Sequence, residues 1–245
     1  MGYPELRRRI MNGSSDYVLD GLIHQWDAIN NTGSGHNGSA TVWNDLIGSI
    51  DLTQHTGGTW KDNALHFEPT ATTDAHYWID TTHTSIYSQT MTIEMCISPT
   101  GSALNSWEES KSAVIANFTS SANSELRRIM LSKADIAIGG YTNGTNQFAA
   151  TGLTTLRDIH HIAVTYTTQT GSDGVYCNGT LQTKNAQHTF GENKRDYVFV
   201  GCSLGTSKYP YLGDIHSIRV YNRVLSDNEI YQNYLTDCAR FFGGN

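Results

Sequence analysis

From Gly21 onward, short apolar runs alternate with clusters of turn residues. The clearest run is Met91-Thr92-Ile93-Glu94-Met95-Cys96-Ile97. Its period of two puts Met91, Ile93, Met95 and Ile97 on one face and Thr92, Glu94 and Cys96 on the other, which predicts a half-buried strand with Glu94 facing solvent or hydrogen-bonded. Comparable strands are predicted at Leu22 to Trp26, Leu65 to Phe67, Tyr77 to Ile79, Val114 to Phe118, His161 to Tyr166, Val175 to Asn178, Tyr197 to Gly201 and Ile215 to Tyr221. So many short strands separated by turn signals point to an all-β, two-sheet antiparallel sandwich.

Two local signals sharpen this outline. Asn178-Gly179 lies between two apolar runs, and both residues tolerate the positive φ of a two-residue hairpin. Ser226, with Glu229 three residues on, has the spacing of a capping box, so a short helix is predicted to start there. Ile230, Tyr231, Tyr234 and Leu235 would form its apolar stripe, with Leu225 and Ile230 buried. Residues 1–16 read as an appendage, because Pro4 to Met11 can form a short basic helix that Asn12-Gly13-Ser14-Ser15 breaks. The organisation expected is a basic tail or docking helix over 1–16 and one domain over 17–245.

Composition narrows the classes of function. The chain is 38% hydrophobic and 16% charged, with a formal net charge of -7. Phosphate binding needs clustered Lys and Arg, and the only basic run is Arg7-Arg8-Arg9, so no nucleic-acid partner is expected. No stretch approaches the ~20 apolar residues that cross a bilayer, and the N-terminus lacks the apolar core of a signal peptide, so a soluble chain without membrane insertion is expected. Cys96, Cys177, Cys202 and Cys238 are widely spaced and read as reduced thiols rather than as a zinc or redox pair.

The run Gly213-Asp214-Ile215-His216-Ser217-Ile218-Arg219-Val220-Tyr221-Asn222-Arg223-Val224-Leu225-Ser226, followed by Glu229-Ile230, resembles the closing strand and helix of laminin-G-like domains in the concanavalin A-like lectin and glucanase superfamily. Trp43 to Gly48, Met91 to Ile97 and His160 to Asn178 resemble three further stretches of that family, in order, so the resemblance spans about residues 18–240. It implies a jelly-roll sandwich with a short C-terminal helix. The opening Trp26 to His36 is similar to a subset found in phage structural and gut-bacterial surface proteins. That similarity implies a virion or extracellular-surface location, with a glycan or host-surface receptor as partner and other assembly proteins contacted through residues 1–16. The family also implies a structural calcium ion, with Asp27, Asp45 and Asp214 as ligands, although His216 stands where the family's acid is usual.

Retaining glucanases align acid and nucleophile about 5 Å apart on alternate strand positions. Here Glu94 stands alone, with Cys96 and Ser98 where partners would be. His160 and His161 are adjacent, so in a strand they face opposite ways and cannot share an ion. No H-E-x-x-H motif occurs. The expectation is therefore a non-catalytic recognition module that binds carbohydrate, with a virion decoration protein making protein contacts as the alternative. Sugar rings stack on flat side chains while polar groups fix their hydroxyls. Trp107, in a polar stretch, is the leading candidate for that stacking, followed by Tyr141 and Asn143 in a Gly-rich loop and by Tyr209 and Tyr211 around Pro210.

Overall fold

The computed structural model describes residues 17–69, 77–80, 90–100, 113–119, 126–132, 135–140, 158–166, 172–186, 197–201 and 210–242. The docking helix expected over 1–16 lies outside them.

Two antiparallel sheets face each other. The first contains β1 (Leu22–Asp27), β4 (Thr59–Lys61), β5 (Ala64–Phe67), β7 (Met91–Pro99), β11 (His160–Tyr166), β12 (Ser172–Cys177), β13 (Thr180–Ala186) and β15 (Gly213–Tyr221). Its order is β13-β12-β11-β7-β15-β5-β4, and β1 pairs with β15 beyond the end of β5. The second contains β2 (Val42–Trp43), β3 (Leu52–Thr56), β6 (Tyr77–Asp80), β8 (Ala113–Thr119), β9 (Leu126–Ser132), β10 (Asp135–Gly140) and β14 (Tyr197–Val200), in the order β10-β9-β8-β14-β6-β3-β2. The chain is therefore an all-β sandwich. Strand alternation sends Met91, Ile93, Met95 and Ile97 inward with Ile162, Val164, Ile218 and Val220, against Trp43, Leu52, Trp78, Val198 and Val200 of the other sheet.

The hairpin forms where Asn178-Gly179 places it, with φ of 50° and 72°, the left-handed pair that a type I′ turn demands. Helix α1 (Asp227–Asp237) starts on Ser226, whose Oγ accepts from the Glu229 N–H while the Glu229 carboxylate accepts from the Ser226 N–H at 2.8 Å. Leu225 and Ile230 are buried, as the pattern predicts.

Two expectations need correction. Strand β7 is buried on both faces, not one, because α1 and the Tyr17-Val18 segment lie across the outer face of the first sheet. The helix itself buries Ile230, Asn233, Thr236 and Asp237, whereas Tyr231 is exposed and Tyr234 and Leu235 are half-buried. Its contact stripe is mixed, Ile230 clustering with Ala163, Tyr176 and Tyr221 while Asn233 and Asp237 meet Glu94 and Arg219, so apolar spacing marks only part of it.

Candidate functional site

The chain's densest group of ionisable side chains among the described residues lies under α1. Arg219 of β15 and Glu94 of β7 are direct cross-strand partners, and the Arg219 Nε donates to Glu94 Oε2 at 3.0 Å. The other end of the guanidinium grips Asp237 of α1 with two bonds, at 2.9 and 2.6 Å. Asn233 donates to Glu94 Oε2 at 2.8 Å and accepts from the Val18 N–H at 2.9 Å, while the Tyr17 hydroxyl donates to Asp237 at 2.6 Å. The Tyr17 ring lies 4.1 Å from the Arg219 guanidinium carbon, and His161 Nε2 stands 3.6 Å from Glu94 and 3.8 Å from Asp237. Burial works to raise the Asp237 carboxyl, but Arg219 beside it overrides burial and holds it below the usual carboxylate range.

Two carboxylates thus meet around one cation, the second supplied by a helix that a search along one strand does not reach. Glu94, Asp237, Arg219 and His161 are nevertheless fully buried, so Glu94 is hydrogen-bonded and not solvent-facing. A sugar cannot reach this cluster while α1 and Tyr17 cover it. Its chemistry is cohesion between helix, N-terminal segment and sheet.

The three acids proposed for calcium are each engaged by donors of the protein itself. Asp45 accepts the N–H groups of Gln25, Ile47, Gly48 and Ile50 at 3.0 to 3.1 Å and holds His24 Nδ1 at 2.6 Å. Burial pulls the Asp45 carboxyl upward, but His24 and these N–H groups bring it below its ordinary value. Asp27 caps the turn Ala28–Asn30 through the Ile29 N–H and pairs with Arg240. Asp214 takes Lys61 on both oxygens, at 2.9 and 3.0 Å, and His66 at 2.5 Å. Among the described residues no three acid, His or Cys side chains converge as metal ligands. Calcium requires six to eight free oxygens, so these residues do not fit the ion. His216 sits at a register shift in β15 and turns Nδ1 to the Asn63 carbonyl at 2.8 Å, with its ring 5.4 Å from Phe241.

Of the aromatic candidates, Tyr211 is fully buried, part of the core beside Phe67, and its hydroxyl donates to the Asp214 carbonyl. No face of that ring is left for a sugar. Trp107, Tyr141, Asn143 and Tyr209 lie outside the described residues.

The structure also brings together a surface feature within and beside the run Trp26 to His36, which the sequence marks as a resemblance but not as a binding site. The loop from Ala28 to Thr41 is tied by its own polar groups. Asn31, buried, donates to the Asn37 carbonyl at 3.0 Å and accepts from the Asn37 N–H at 2.8 Å, and the Asn30 side chain accepts from the Gly35 N–H at 2.7 Å. The Thr32 hydroxyl bonds the Gly35 carbonyl at 2.9 Å, and Asn37 Oδ1 accepts from the Ser39 N–H at 2.9 Å. His36 is exposed, its Nδ1 fixed 2.8 Å from the Ala28 carbonyl, and its ring stands edge-on to Trp60 with centroids 6.1 Å apart. Trp60, half-buried on edge strand β4, donates its indole N–H to the Ala40 carbonyl and packs edge-on against Trp43 and Trp78. The signal in the sequence is the Asn- and Gly-rich run Asn30 to Asn37 with His36 within it.

With this geometry in place, a family profile described as the concanavalin A-like lectin/glucanases superfamily matches residues 72–231, well over half of the chain. The chain belongs to that superfamily. Superfamily membership accords with the sandwich, its closing strand and its helix. No curated protein sequence matches significantly. Among solved structures, the chain is similar to a Trypanosoma rangeli sialidase mutant displaying trans-sialidase activity (TM-score 0.65, 13% identity, 89% of this chain and 33% of that one). It is also similar to the T. rangeli sialidase in complex with sialic acid (0.65, 12%, 100% and 40%) and to the receptor-binding domain of botulinum neurotoxin C/D mosaic serotype (0.66, 13%, 88% and 51%). The chain spans about a third to a half of the length of these proteins. At such identities the likeness is one of fold.

These neighbours correct the expectation that the chain is not an enzyme. Sialidases are enzymes, so the absence of a carboxylate pair along one strand does not separate this chain from catalysts that share its fold. No described helix is long and apolar enough to cross a membrane.

Proposed function

We propose that the chain is a carbohydrate-recognition module that engages a glycan or glycosylated receptor through its loops and not through the outer face of its first sheet. The observation that carries this reading is membership of the lectin and glucanase superfamily over residues 72–231. The neighbours support it by name, one being a sialidase bound to sialic acid and another a toxin's receptor-binding domain. The sealed cluster beneath α1 supports that location, since β7 and nearly all of β15 are buried and leave no surface for a ligand along them. For stacking, Trp107 and Tyr209 are the candidates from the sequence.

A glycan array probed with the full chain tests the reading, run beside an assay for released reducing ends or free sialic acid. Binding to a defined glycan class, lost in folded Trp107→Ala or in the double variant with Tyr209→Ala, supports recognition through these loops. Binding unchanged in both variants removes those two residues from the site, and a folded chain that binds nothing on the array overturns the function. Release of sugar by the purified chain would add turnover to recognition.

A further inference from the structure

We propose that the Ala28–Thr41 loop and strand β4 form a saccharide subsite centred on His36, selective for neutral sugars. This rests on the proposed function and names a site within it. The first argument is chemical. The Ala28 carbonyl can only accept, so the Nδ1 that it faces carries the hydrogen, and in the neutral imidazole Nε2 is left as an acceptor for a sugar hydroxyl. The exposed ring supplies a flat surface, and its edge-on contact with Trp60 fixes its orientation. Exposed Asn37 and Ser39, three positions or fewer along the same loop, add an amide and a hydroxyl, the groups that hold pyranose hydroxyls.

The second argument concerns ordering. Association is opposed by the freezing of loops and side chains, and a loop already fixed avoids most of that cost. Here Asn30, Asn31, Thr32 and Asn37 all tie the loop to itself, and the Asn31 carbonyl is bonded by the Asn44 N–H at 2.9 Å, which anchors the loop to the neighbouring turn. Polar side chains turned inward to build the loop leave His36 displayed at its crest. The position also suits a ligand. Strands β4 and β2 are the terminal strands of their sheets, and the contacts of Trp60 with Trp43 and Trp78 join them at one margin of the sandwich.

The third argument sets the class of sugar. An acidic sugar such as sialic acid calls for a free cation, preferably a bidentate guanidinium. On strand β4 the one cation is Lys61, whose ammonium is held by both oxygens of Asp214, and the next residue, Asp62, is exposed and anionic. The loop itself carries no Lys or Arg. Charge at this margin therefore favours uncharged, hydroxyl-rich rings.

The experiment uses the full chain and an array carrying matched neutral and sialylated oligosaccharides. The parent is compared with His36→Ala and Asn37→Ala, each checked for an unchanged melting profile. The expected result is binding to neutral glycans that weakens by about tenfold or more in His36→Ala. In the parent, imidazole NMR signals of His36 should shift when lactose, cellobiose or mannobiose is titrated, a readout that holds even if a variant fails to fold. Binding of a neutral glycan that stays within about twofold of the parent in both folded variants, with His36 signals unmoved, overturns the subsite while leaving glycan recognition standing. Binding confined to sialylated glycans overturns its selectivity. No binding by the parent overturns the subsite together with the reading on which it rests.

Discussion

Arg219 and Asp237, on the closing strand and at the last turn of the helix that follows it, form a fully buried bidentate ion pair that also holds Glu94 and Tyr17. Buried ion pairs contribute little net stability against a well-packed apolar replacement, but removing one partner leaves an uncompensated charge. Arg219→Met should therefore destabilise the chain by about 3–5 kcal/mol in urea unfolding. Changing Glu94, Arg219 and Asp237 together to neutral residues of similar volume should recover most of that loss. Equal destabilisation in the single and triple variants would show that the pair is not what holds α1.

Tyr17 is the first described residue and closes the same cluster. Tyr17→Phe keeps the ring over Arg219 but leaves Asp237 without one donor, so a cost of about 1–3 kcal/mol is expected. Truncation of residues 1–15 should leave the sandwich folded by near-UV circular dichroism. A truncated chain that unfolds would move the boundary toward the N-terminus.

The helix start gives a pH signature. Arg223 donates to both oxygens of Glu229, at 3.0 and 2.7 Å, and with the Ser226 bonds it brings the Glu229 carboxyl down to about 2 from an ordinary value of 4.5. A group depressed in the folded state stabilises above its unfolded value, and that contribution is lost as pH falls through the folded one. Glu229→Gln should therefore flatten the dependence of melting temperature on pH between about 4.5 and 2, leaving other acid-sensitive groups in place. Ser226→Ala should cost about 0.5–2 kcal/mol through loss of the cap. Parallel pH profiles for parent and Glu229→Gln would refute the coupling.

For calcium, the engaged oxygens of Asp27, Asp45 and Asp214 lead to an expected null. An ion that binds only the folded state raises stability with its concentration. Melts in chelator and in millimolar calcium should superimpose. A rise with calcium would point to ligands outside the described residues.

Much of the fold is legible in the sequence because strands such as β7 and β15 alternate strongly and because Asn178-Gly179 and Ser226 to Glu229 act through local geometry. Strands such as β3 and β13 are not, since Leu-Thr-Gln-His-Thr and Thr-Leu-Gln-Thr-Lys-Asn-Ala carry too few apolar residues to show a period. The ionic cluster escapes for a different reason. Tyr17, Glu94, Arg219 and Asp237 are brought together only by tertiary folding, and a carboxylate such as Glu94 opposite an inward apolar row reads as solvated until something is known to cover it. Tyr211 misleads in the opposite sense, a tyrosine beside Pro210 that turns out to fill the core.

The polar cover beneath α1 also bears on how the chain is made. During synthesis β7 and β11 emerge long before Asp237, so the outer face of the first sheet must wait, bare, for its lid. Had that face been oily, the nascent sheet would offer a sticky surface to neighbouring chains. Because it carries Thr92, Glu94, His161 and Arg219 among apolar neighbours such as Ala163 and Tyr221, water can wet much of it until the C-terminal helix leaves the ribosome and closes over it.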